Sequence, residues 1–281
     1  MQTPTSSLFM PGSAKGFHEP CIMGILNVTP DSFHDGGKHN SLDAAVSQAS
    51  RMLEDGADVL DLGAQSTRPG AEQVGAEEEW RRLAPVLRAI QDKHPQAVLS
   101  IDTFHPVVAE RALREGGHWI NDVTGGNETM WQVVAEADCP YVMMHMQGTP
   151  ATMQQDPTYD DVVQEILTAL GERVKQATAC GVRKIILDVG FGFGKTVAHN
   201  YALLQSLDAF HALQRPLLVG VSRKSMIQKV LNVSSEEALN GTTALHAWAL
   251  DRGAQILRVH DVREAREVRD LHRALNPTPS A

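Results

Sequence analysis

The 281-residue sequence has few cysteines, no long apolar run and a deficit of positive charge. Its three cysteines, Cys21, Cys139 and Cys180, are odd in number and lack C-x-x-C spacing, which argues against a disulfide framework and a structural zinc site. No stretch of 18 apolar residues is present, and residues 1–20 lack the charged start and apolar centre of a signal peptide. We therefore expect a soluble cytoplasmic protein.

The charge balance excludes the simplest electrostatic partners. Lysine and arginine number 25 against 34 aspartates and glutamates, which gives a formal net charge of −9. Such a balance favours neither nucleic acid nor an anionic membrane surface, so an anionic ligand must be held by a local group of side chains. The length and the ordinary globular composition allow one large α/β barrel or two smaller domains.

From Cys21 onward, a short apolar segment, a polar loop and an amphipathic segment recur along the chain. The apolar segments predict strands at 21–27, 58–63, 98–103, 118–123, 141–146, 184–189, 217–222 and 256–261. Apolar residues spaced as in helices follow, for example from Leu42 to Leu53, with Gly56 placed to end that helix. Pro85 inside the helical segment 77–91 predicts a kink.

Eight strand–helix units in one chain of this length predict a single (β/α)₈ TIM barrel. We expect the barrel over residues 21–276, a tail or hairpin cap at 1–20 and a short C-terminal tail at 277–281. A doubly wound open sheet is the alternative, because the sequence does not show the order of the strands.

A polar residue stands at the carboxyl end of every expected strand. These residues are Asn27, Asp61, Asp102, Asn121, His145, Asp188, Ser222 and His260. Since strand side chains alternate between two faces, Asp188 shares the inward face with Ile186, whereas Val189 points to the helices. The carboxyl face of a TIM barrel is where active sites are built, so the ring of polar ends predicts an active site there.

The last expected strand adds a second kind of group to this face. Leu257 and Val259 alternate with Arg258 and His260, which therefore share one side of the strand. Two cationic or protonatable groups suit a clamp for a multiply charged anion. A solvated edge strand, with both side chains facing water, is the alternative.

Eight short motifs follow one another in the chain. They are Gly24-Ile25-Leu26-Asn27-Val28-Thr29-Pro30-Asp31-Ser32-Phe33, Ser66-Thr67-Arg68-Pro69-Gly70, Ser100-Ile101-Asp102-Thr103, Asn121-Asp122-Val123, Met144-His145-Met146-Gln147-Gly148, Gly190-Phe191-Gly192-Phe193-Gly194-Lys195, Ser222-Arg223-Lys224-Ser225 and Arg258-Val259-His260-Asp261. In this order they resemble the motifs of the dihydropteroate synthases, over roughly residues 21–275. The resemblance implies a transferase that joins p-aminobenzoate to 6-hydroxymethyl-7,8-dihydropterin pyrophosphate and works as a homodimer through its late helices.

The resemblance also implies a substrate site, whose pterin part has a physical rationale. A pterin presents a flat edge with several N–H donors, and fixed acceptors such as Asp102, Asn121 and Asp188 suit that edge. A satisfied internal hydrogen-bond network of the same residues is the alternative. The implied substrate-binding set is Asn27, Thr67, Arg68, Asp102, Asn121, Met144, Asp188, Phe193, Gly220, Lys224, Arg258 and His260.

By the same resemblance, Asn27, Arg258 and His260 meet the pyrophosphate, with Mg²⁺ on Asn27. Asp35 in the first loop is our candidate for the second metal contact when that loop closes. Mg²⁺ prefers oxygen ligands and keeps water while it bridges phosphates, which suits a site with few protein ligands. The implied catalytic residues are Lys224, Arg258, His260, Asp35 and Arg68. The implied p-aminobenzoate site consists of Phe33, Thr67, Arg68, Pro69, Lys224 and Ser225.

The sequence departs from the family pattern at three positions. Ala64-Gln65 stands where Gly-Glu is common, Val189 replaces a usual proline, and His34 occupies a site that is often serine. Gln65 removes a charge beside the second loop and is expected to affect loop closure, whereas Val189 is expected to affect packing only.

Residues 189–196 nearly spell the phosphate-binding P-loop G-x-x-x-x-G-K-[ST], but Val189 stands where the first glycine belongs. We therefore attribute the glycines of this segment to a close approach of the backbone to a flat ring.

Two other functions share part of this pattern. A methyltetrahydrofolate methyltransferase has a related pterin-binding barrel, but it has no reason to carry the Ser222–Ser225 stretch or the clamp of Arg258 and His260, and both are present. A non-catalytic pterin-binding protein would be expected to have lost Asn27, Arg68, Arg258 or His260, and all four are present.

Overall fold

The structure is a computed structural model that describes residues 19–28, 38–65, 73–149, 152–153 and 156–276, with the backbone alone at 38–41. The strands are β1 Cys21–Asn27, β2 Val59–Gly63, β3 Val98–Asp102, β4 Trp119–Asp122, β5 Tyr141–Met144, β6 Ile185–Asp188, β7 Leu217–Val219 and β8 Ile256–Val259. The helices are α1 Lys38–Asp55, α2 Ala76–Lys93, α3 Pro106–Arg114, α4 Glu128–Ala137, α5 Val162–Ala179, α6 Val197–Gln205, α7 Ser225–Leu231, α8 Leu239–Asp251 and α9 Val262–Leu275. The predicted tails fall at residues 1–20 and 277–281, of which only 19 and 20 are described.

The eight strands close into one parallel barrel in chain order, with β8 paired to β1. This closure confirms the predicted TIM barrel and rules out the open sheet. Every strand begins within one residue of its predicted start, but six strands end one to three residues before the predicted end. The chain leaves the sheet early because residues such as His145 and Ser222 already belong to the loops that form the carboxyl face.

The strands separate two apolar cores by their alternation. The inward side chains near the amino ends form a plug inside the barrel: Cys21, Met23, Val59, Val98, Trp119, Val142, Ile186, Leu218 and Ile256. Outward side chains, including Leu187, Val189 and Leu257, pack with the helices in a larger shell. The predicted parity of Ile186, Leu187 and Val189 is therefore confirmed.

The helices begin and end as local chemistry dictates. Gly56 has a φ of +105° and follows the last residue of α1, as predicted, since glycine adopts this backbone conformation without a steric penalty. Asp161 accepts hydrogen bonds from the backbone N–H groups of Val163 and Gln164 and so caps α5. Pro85 lies in the interior of α2, which continues on both sides of it. In the described part of the chain, no helix has the length and apolar character that a membrane span requires.

Candidate active site

The polar strand ends come together at the carboxyl face of the barrel. Asp102 on β3 lies opposite Asn121 on β4, and Met144 on β5 lies opposite Asp188 on β6. All four are predicted site residues. Each points inward above the apolar plug, because strand side chains on one face recur every second residue. Asn121, Met144 and Asp188 are two residues after a plug residue, and Asp102 is four residues after Val98.

Arg258 on β8 is the centre of this polar layer. Its Nε donates to Asp61 Oδ2 at 2.6 Å and its Nη2 donates to Asp102 Oδ2 at 2.6 Å. The solvated edge strand is therefore excluded for Arg258. Part of the satisfied internal network also exists, since Asp102 is already paired with Arg258. The contact of Arg258 with a pyrophosphate stays a prediction.

Asp61 is the member of this layer whose role sequence reasoning missed. Its side chain is fully buried, and its Oδ2 also accepts a hydrogen bond from Asn121 Nδ2 at 2.9 Å. Because a carboxylate is an acceptor, this contact orients the Asn121 amide and leaves its Oδ1 as an acceptor for another donor. The signal was present in the sequence as one of the eight polar strand ends, but nothing there identified its partners.

Burial sets the protonation of the two predicted pterin-reading aspartates. Burial raises the pKa of Asp102 to about 7, an effect that Arg258 opposes and the neighbouring Asp61 reinforces. Burial also raises the pKa of Asp188, against the opposing effect of Lys224, and Asp188 Oδ1 accepts a hydrogen bond from Gly190 N–H at 2.7 Å. Burial therefore disfavours the charged form of both carboxylates, and a ligand with N–H donors would stabilise that form.

Lys224 reaches into the same layer from the loop after β7. Its Nζ donates to the backbone carbonyl of Phe191 and lies 4.8 Å from the centre of the Phe193 ring. Burial lowers the pKa of Lys224 to about 8, although Asp188 acts in the opposite direction. The lysine is therefore a half-buried cation near neutral pH, and its ammonium group contacts the protein as well as solvent.

Gly220 keeps the space between two cations open. A Cβ atom at this position would lie 3.8 Å from Lys224 Nζ and 3.9 Å from Arg258 Cβ. A larger side chain would fill the gap between Lys224 and Arg258.

His260 lies just beyond β8 at the mouth of the barrel. Its Nδ1 is 3.0 Å from Ser222 Oγ, and its backbone N–H donates to the same hydroxyl at 3.2 Å. The side chain is exposed. Partial desolvation by the surrounding loops nevertheless lowers the pKa of the imidazole, and the positive charge of Arg258 lowers it further. Without a bound anion, His260 is a neutral hydrogen-bonding group at pH 7 rather than a second cation.

A salt bridge joins the loops that carry Lys224 and His260. Arg223 donates from Nε and Nη2 to the two carboxylate oxygens of Asp261, at 2.8 and 2.7 Å. Arg223 also has a φ of +54°, and its backbone N–H donates to Thr242 Oγ1 at 3.0 Å. Arg223 and Asp261 are the chain neighbours of Lys224 and His260, so this salt bridge holds the backbone beside both predicted catalytic residues. Sequence reasoning gave the salt bridge no role.

Of the remaining predicted site residues, the structure describes two. Asn27 is half-buried at the end of β1, and Ser225 is exposed at the first position of α7. Phe33, Asp35, Thr67, Arg68 and Pro69 lie outside the described residues, as does His34.

Of the other two departures from the family pattern, Val189 is buried in the outer shell, as predicted. Gln65 is buried too, and neither of its amide atoms has a hydrogen-bond partner among the described residues.

Comparisons with known proteins agree on one family. A family profile described as pterin binding enzyme matches residues 23–260. The chain is 46% identical over 263 residues to the dihydropteroate synthase of Escherichia coli (strain K12), covering 92% of this chain and 93% of that protein. The crystal structure of the Yersinia pestis dihydropteroate synthase in a sulfonamide drug complex matches with a TM-score of 0.87 at 43% identity, covering 92% of this chain and 95% of that one. Dihydropteroate synthase from Xanthomonas albilineans in complex with 7,8-dihydropteroate matches with a TM-score of 0.84 at 39% identity, covering 93% and 95%.

Proposed function

This chain belongs to the dihydropteroate synthase family of pterin-binding enzymes, and from that premise we propose that it condenses 6-hydroxymethyl-7,8-dihydropterin pyrophosphate with p-aminobenzoate. The products are 7,8-dihydropteroate and pyrophosphate, as a step of folate synthesis. The observation that carries the proposal is the polar layer at the carboxyl face, where Asp102, Asn121 and Asp188 lie beside the half-buried Lys224.

The acceptors of this layer suit the pterin. Asn121 Oδ1 is left free by the contact of its amide nitrogen with Asp61, and Asp188 holds a carboxylate at the end of β6. These groups accept hydrogen bonds from the N–H donors of the pterin edge in a site from which most water is excluded. Asp102 joins them through Arg258, which fixes its position and shares its charge.

The cations of the layer suit the leaving group. The amine nitrogen of p-aminobenzoate forms a bond to the pterin methylene carbon while the bond from that carbon to the pyrophosphate oxygen breaks, and the electron pair leaves with the pyrophosphate. Negative charge accumulates on that oxygen in the transition state, where Lys224 and Arg258 stabilise it. The aniline nitrogen is neutral at pH 7, so no general base is required before the attack. The nitrogen releases its proton after the bond forms.

We assign the Mg²⁺ expected of the family to Asn27. Its amide oxygen at the end of β1 is the kind of ligand that Mg²⁺ takes, and the described residues contain no group of three His, Cys, Asp or Glu side chains that forms a full protein site. A metal held by one or two protein oxygens, water and substrate phosphates fits this donor set. When bound, it would neutralise pyrophosphate charge. Substitution of Asn27 by alanine is expected to raise the Mg²⁺ concentration needed for half-maximal activity, whereas an unchanged requirement would contradict the assignment.

We also propose that two copies associate through α7 and α8. Val230, Leu231 and Trp248 are exposed on these helices, and Trp248 exposes 54% of its surface, whereas Leu250 on the same helix is buried at 3%. Sedimentation of the Trp248→Glu variant should show a shift from dimer to monomer. Val107, which is exposed at 45% on α3, provides the control Val107→Glu, and equal sedimentation of both variants with the wild type would contradict the interface.

The reaction itself is tested by pyrophosphate release from the pterin pyrophosphate with Mg²⁺, with and without p-aminobenzoate. The wild type should release pyrophosphate only when p-aminobenzoate is present and should form dihydropteroate. The Lys224→Ala variant should be slower by at least about 100-fold, the typical effect of removing one charge-stabilising group. Tight pterin binding without release would contradict the synthase and leave a binding protein or a methyltransferase.

A further inference from the structure

Lys195 is a buried lysine that the proposed reaction does not use. It is the lysine of the near-P-loop segment and follows β6 at the carboxyl face, with only 3% of its surface exposed. Its Nζ donates to the carbonyl of Phe193 at 2.9 Å and lies 3.3 Å from both the carbonyl oxygen and Nδ1 of His145. The side chain therefore joins the loop after β6 to the loop after β5 rather than facing a phosphate.

The loop from Gly190 to Gly194 lies flat against the backbone that follows β5. A Cβ atom at Gly190 would be 1.9 Å from the carbonyl oxygen of His145, and one at Gly194 would be 2.6 Å from that of Gln147. Both glycines have positive φ, at +72° and +63°. Because no side chain fits these two contacts, the loop depends on this backbone packing and on what holds its carbonyl groups.

Two lysines from different elements hold alternate carbonyls of this loop. Lys224 donates to the carbonyl of Phe191, and Lys195 donates to the carbonyl of Phe193. The Phe193 ring in turn lies 4.8 Å from Lys224 Nζ. The positions of Lys224 and of the Phe193 ring therefore depend on a loop whose carbonyl group at Phe193 is held by Lys195.

Burial of the charged Lys195 side chain costs free energy, and a role in holding the active site would offset that cost. Burial lowers the pKa of Lys195 to about 7, Asp188 opposes the shift and Lys224 adds to it. Burial followed by the charge of Lys195 lowers the pKa of His145 to about 3, so the ring is neutral and Nδ1 has a lone pair for the ammonium group. An apolar residue of similar length would avoid this desolvation but would leave the carbonyl groups unpaired.

We propose that Lys195 is a positioning residue of this active site: through the carbonyl of Phe193 and through His145, it holds the Gly190–Gly194 loop so that Phe191 and Phe193 place Lys224 against the pterin. The inference rests on the proposed function, because the loop matters only if the pterin binds beside Lys224.

The test is the Lys195→Met variant, which keeps the length of the side chain and removes the ammonium group. We expect kcat/KM for the pterin pyrophosphate to fall about 100-fold, because a displacement of reacting groups by about 1 Å has an effect of that size. Pterin affinity measured by calorimetry should fall, while KM for p-aminobenzoate should change much less. A lysine that only stabilises the fold would lower the melting temperature and the amount of active enzyme, and the surviving enzyme would keep its pterin KM.

Lys184 provides the matched control at the amino end of the same strand. Its Nζ donates to the carbonyl of Asp138 at 2.7 Å, so Lys184→Met also removes an ammonium group from a backbone carbonyl. This variant should keep the wild-type pterin KM. If Lys195→Met does not fold, His145→Leu, which leaves Lys195 and its carbonyl contacts in place, should still lower kcat/KM about tenfold.

An unchanged pterin KM in the folded Lys195 variant, or in the His145 variant when that one is used, would overturn the inference. An inactive wild type would instead overturn the proposed function, so the two failures are distinguishable.

Discussion

The inner face of the barrel contains two layers with opposite chemistry on the same strands. Near the amino ends, residues such as Val98, Val142 and Ile186 form a dry plug, and every member is almost fully buried. Two residues further along the same strands, the inner face presents Ser100 above Val98 and Asp188 above Ile186. One step of the strand period therefore separates the apolar plug from the polar layer that we propose binds the pterin.

The difference shows where the stability of the fold is reduced for function. The apolar layer buries surface without any partner requirement, whereas the polar layer buries two carboxylates around Arg258 and leaves Asp61 Oδ1 without a hydrogen-bond partner among the described residues. Buried ion pairs of this kind seldom add net stability, because desolvation offsets the attraction. We propose that the polar layer serves recognition and that the apolar layer gives the barrel its rigidity.

The largest expected effect comes from removing the central cation. In the Arg258→Met variant, Asp61 and Asp102 lose their partner while they stay buried, and we expect a loss of about 3–5 kcal/mol in the free energy of unfolding together with loss of activity. Urea denaturation measures the first effect and product formation the second. Arg88, which donates two hydrogen bonds to the carboxylate of Glu115 on the surface, provides the control Arg88→Met with an expected loss below about 1 kcal/mol. Equal losses in the two variants would contradict the cost assigned to the buried carboxylates of the polar layer.

A change in the plug should give the converse result. The Ile186→Ala variant opens a cavity and should lower the free energy of unfolding by about 2–5 kcal/mol. At a temperature where the variant is folded, KM for both substrates should stay close to wild type, since Ile186 belongs to the plug near the amino ends of the strands and not to the polar layer. A large rise in the pterin KM at unchanged fold would show that the layers are not separable.

A smaller effect is expected from pH. Asp102 has a pKa of about 7, so its acceptor form becomes populated as the pH rises towards 7. We expect kcat/KM for the pterin pyrophosphate to rise roughly tenfold between pH 5.5 and 7, and we expect this limb to be absent in Asp102→Asn. The same shift favours the protonated carboxyl in the folded state, so the contribution of Asp102 to stability falls as the pH rises from about 4 to 7. A flat wild-type profile over this range would contradict the assignment of the acceptor.

The sequence predicted the barrel well because its signals are local. Strand starts, the parity of Ile186 and Val189, and the helix end at Gly56 each depend on a few neighbouring residues. The ends of β7 and β8 were predicted too late because polar residues such as Ser222 and His260 already belong to loops.

The site was predicted less completely because its contacts are long-range. Arg258 meets Asp61 across 197 positions of the chain, and Lys195 meets His145 across 50. No pattern along the sequence encodes such pairs. The resemblance to a family named Lys224, Asp188 and Arg258 as site residues, but the carboxylates that hold Arg258 and the loop that holds Lys224 became visible only in the fold.

The most direct test compares two positions on the inner face of β6. Binding of the pterin pyrophosphate in the absence of p-aminobenzoate is measured by calorimetry for Asp188→Asn and for Ile186→Ala. We expect Asp188→Asn to weaken binding at least about 100-fold, because a carboxylate acceptor is lost, and Ile186→Ala to keep the wild-type affinity within about twofold. Wild-type affinity in Asp188→Asn, or an equal loss of affinity in both variants, would contradict the claim that the polar layer alone recognises the pterin.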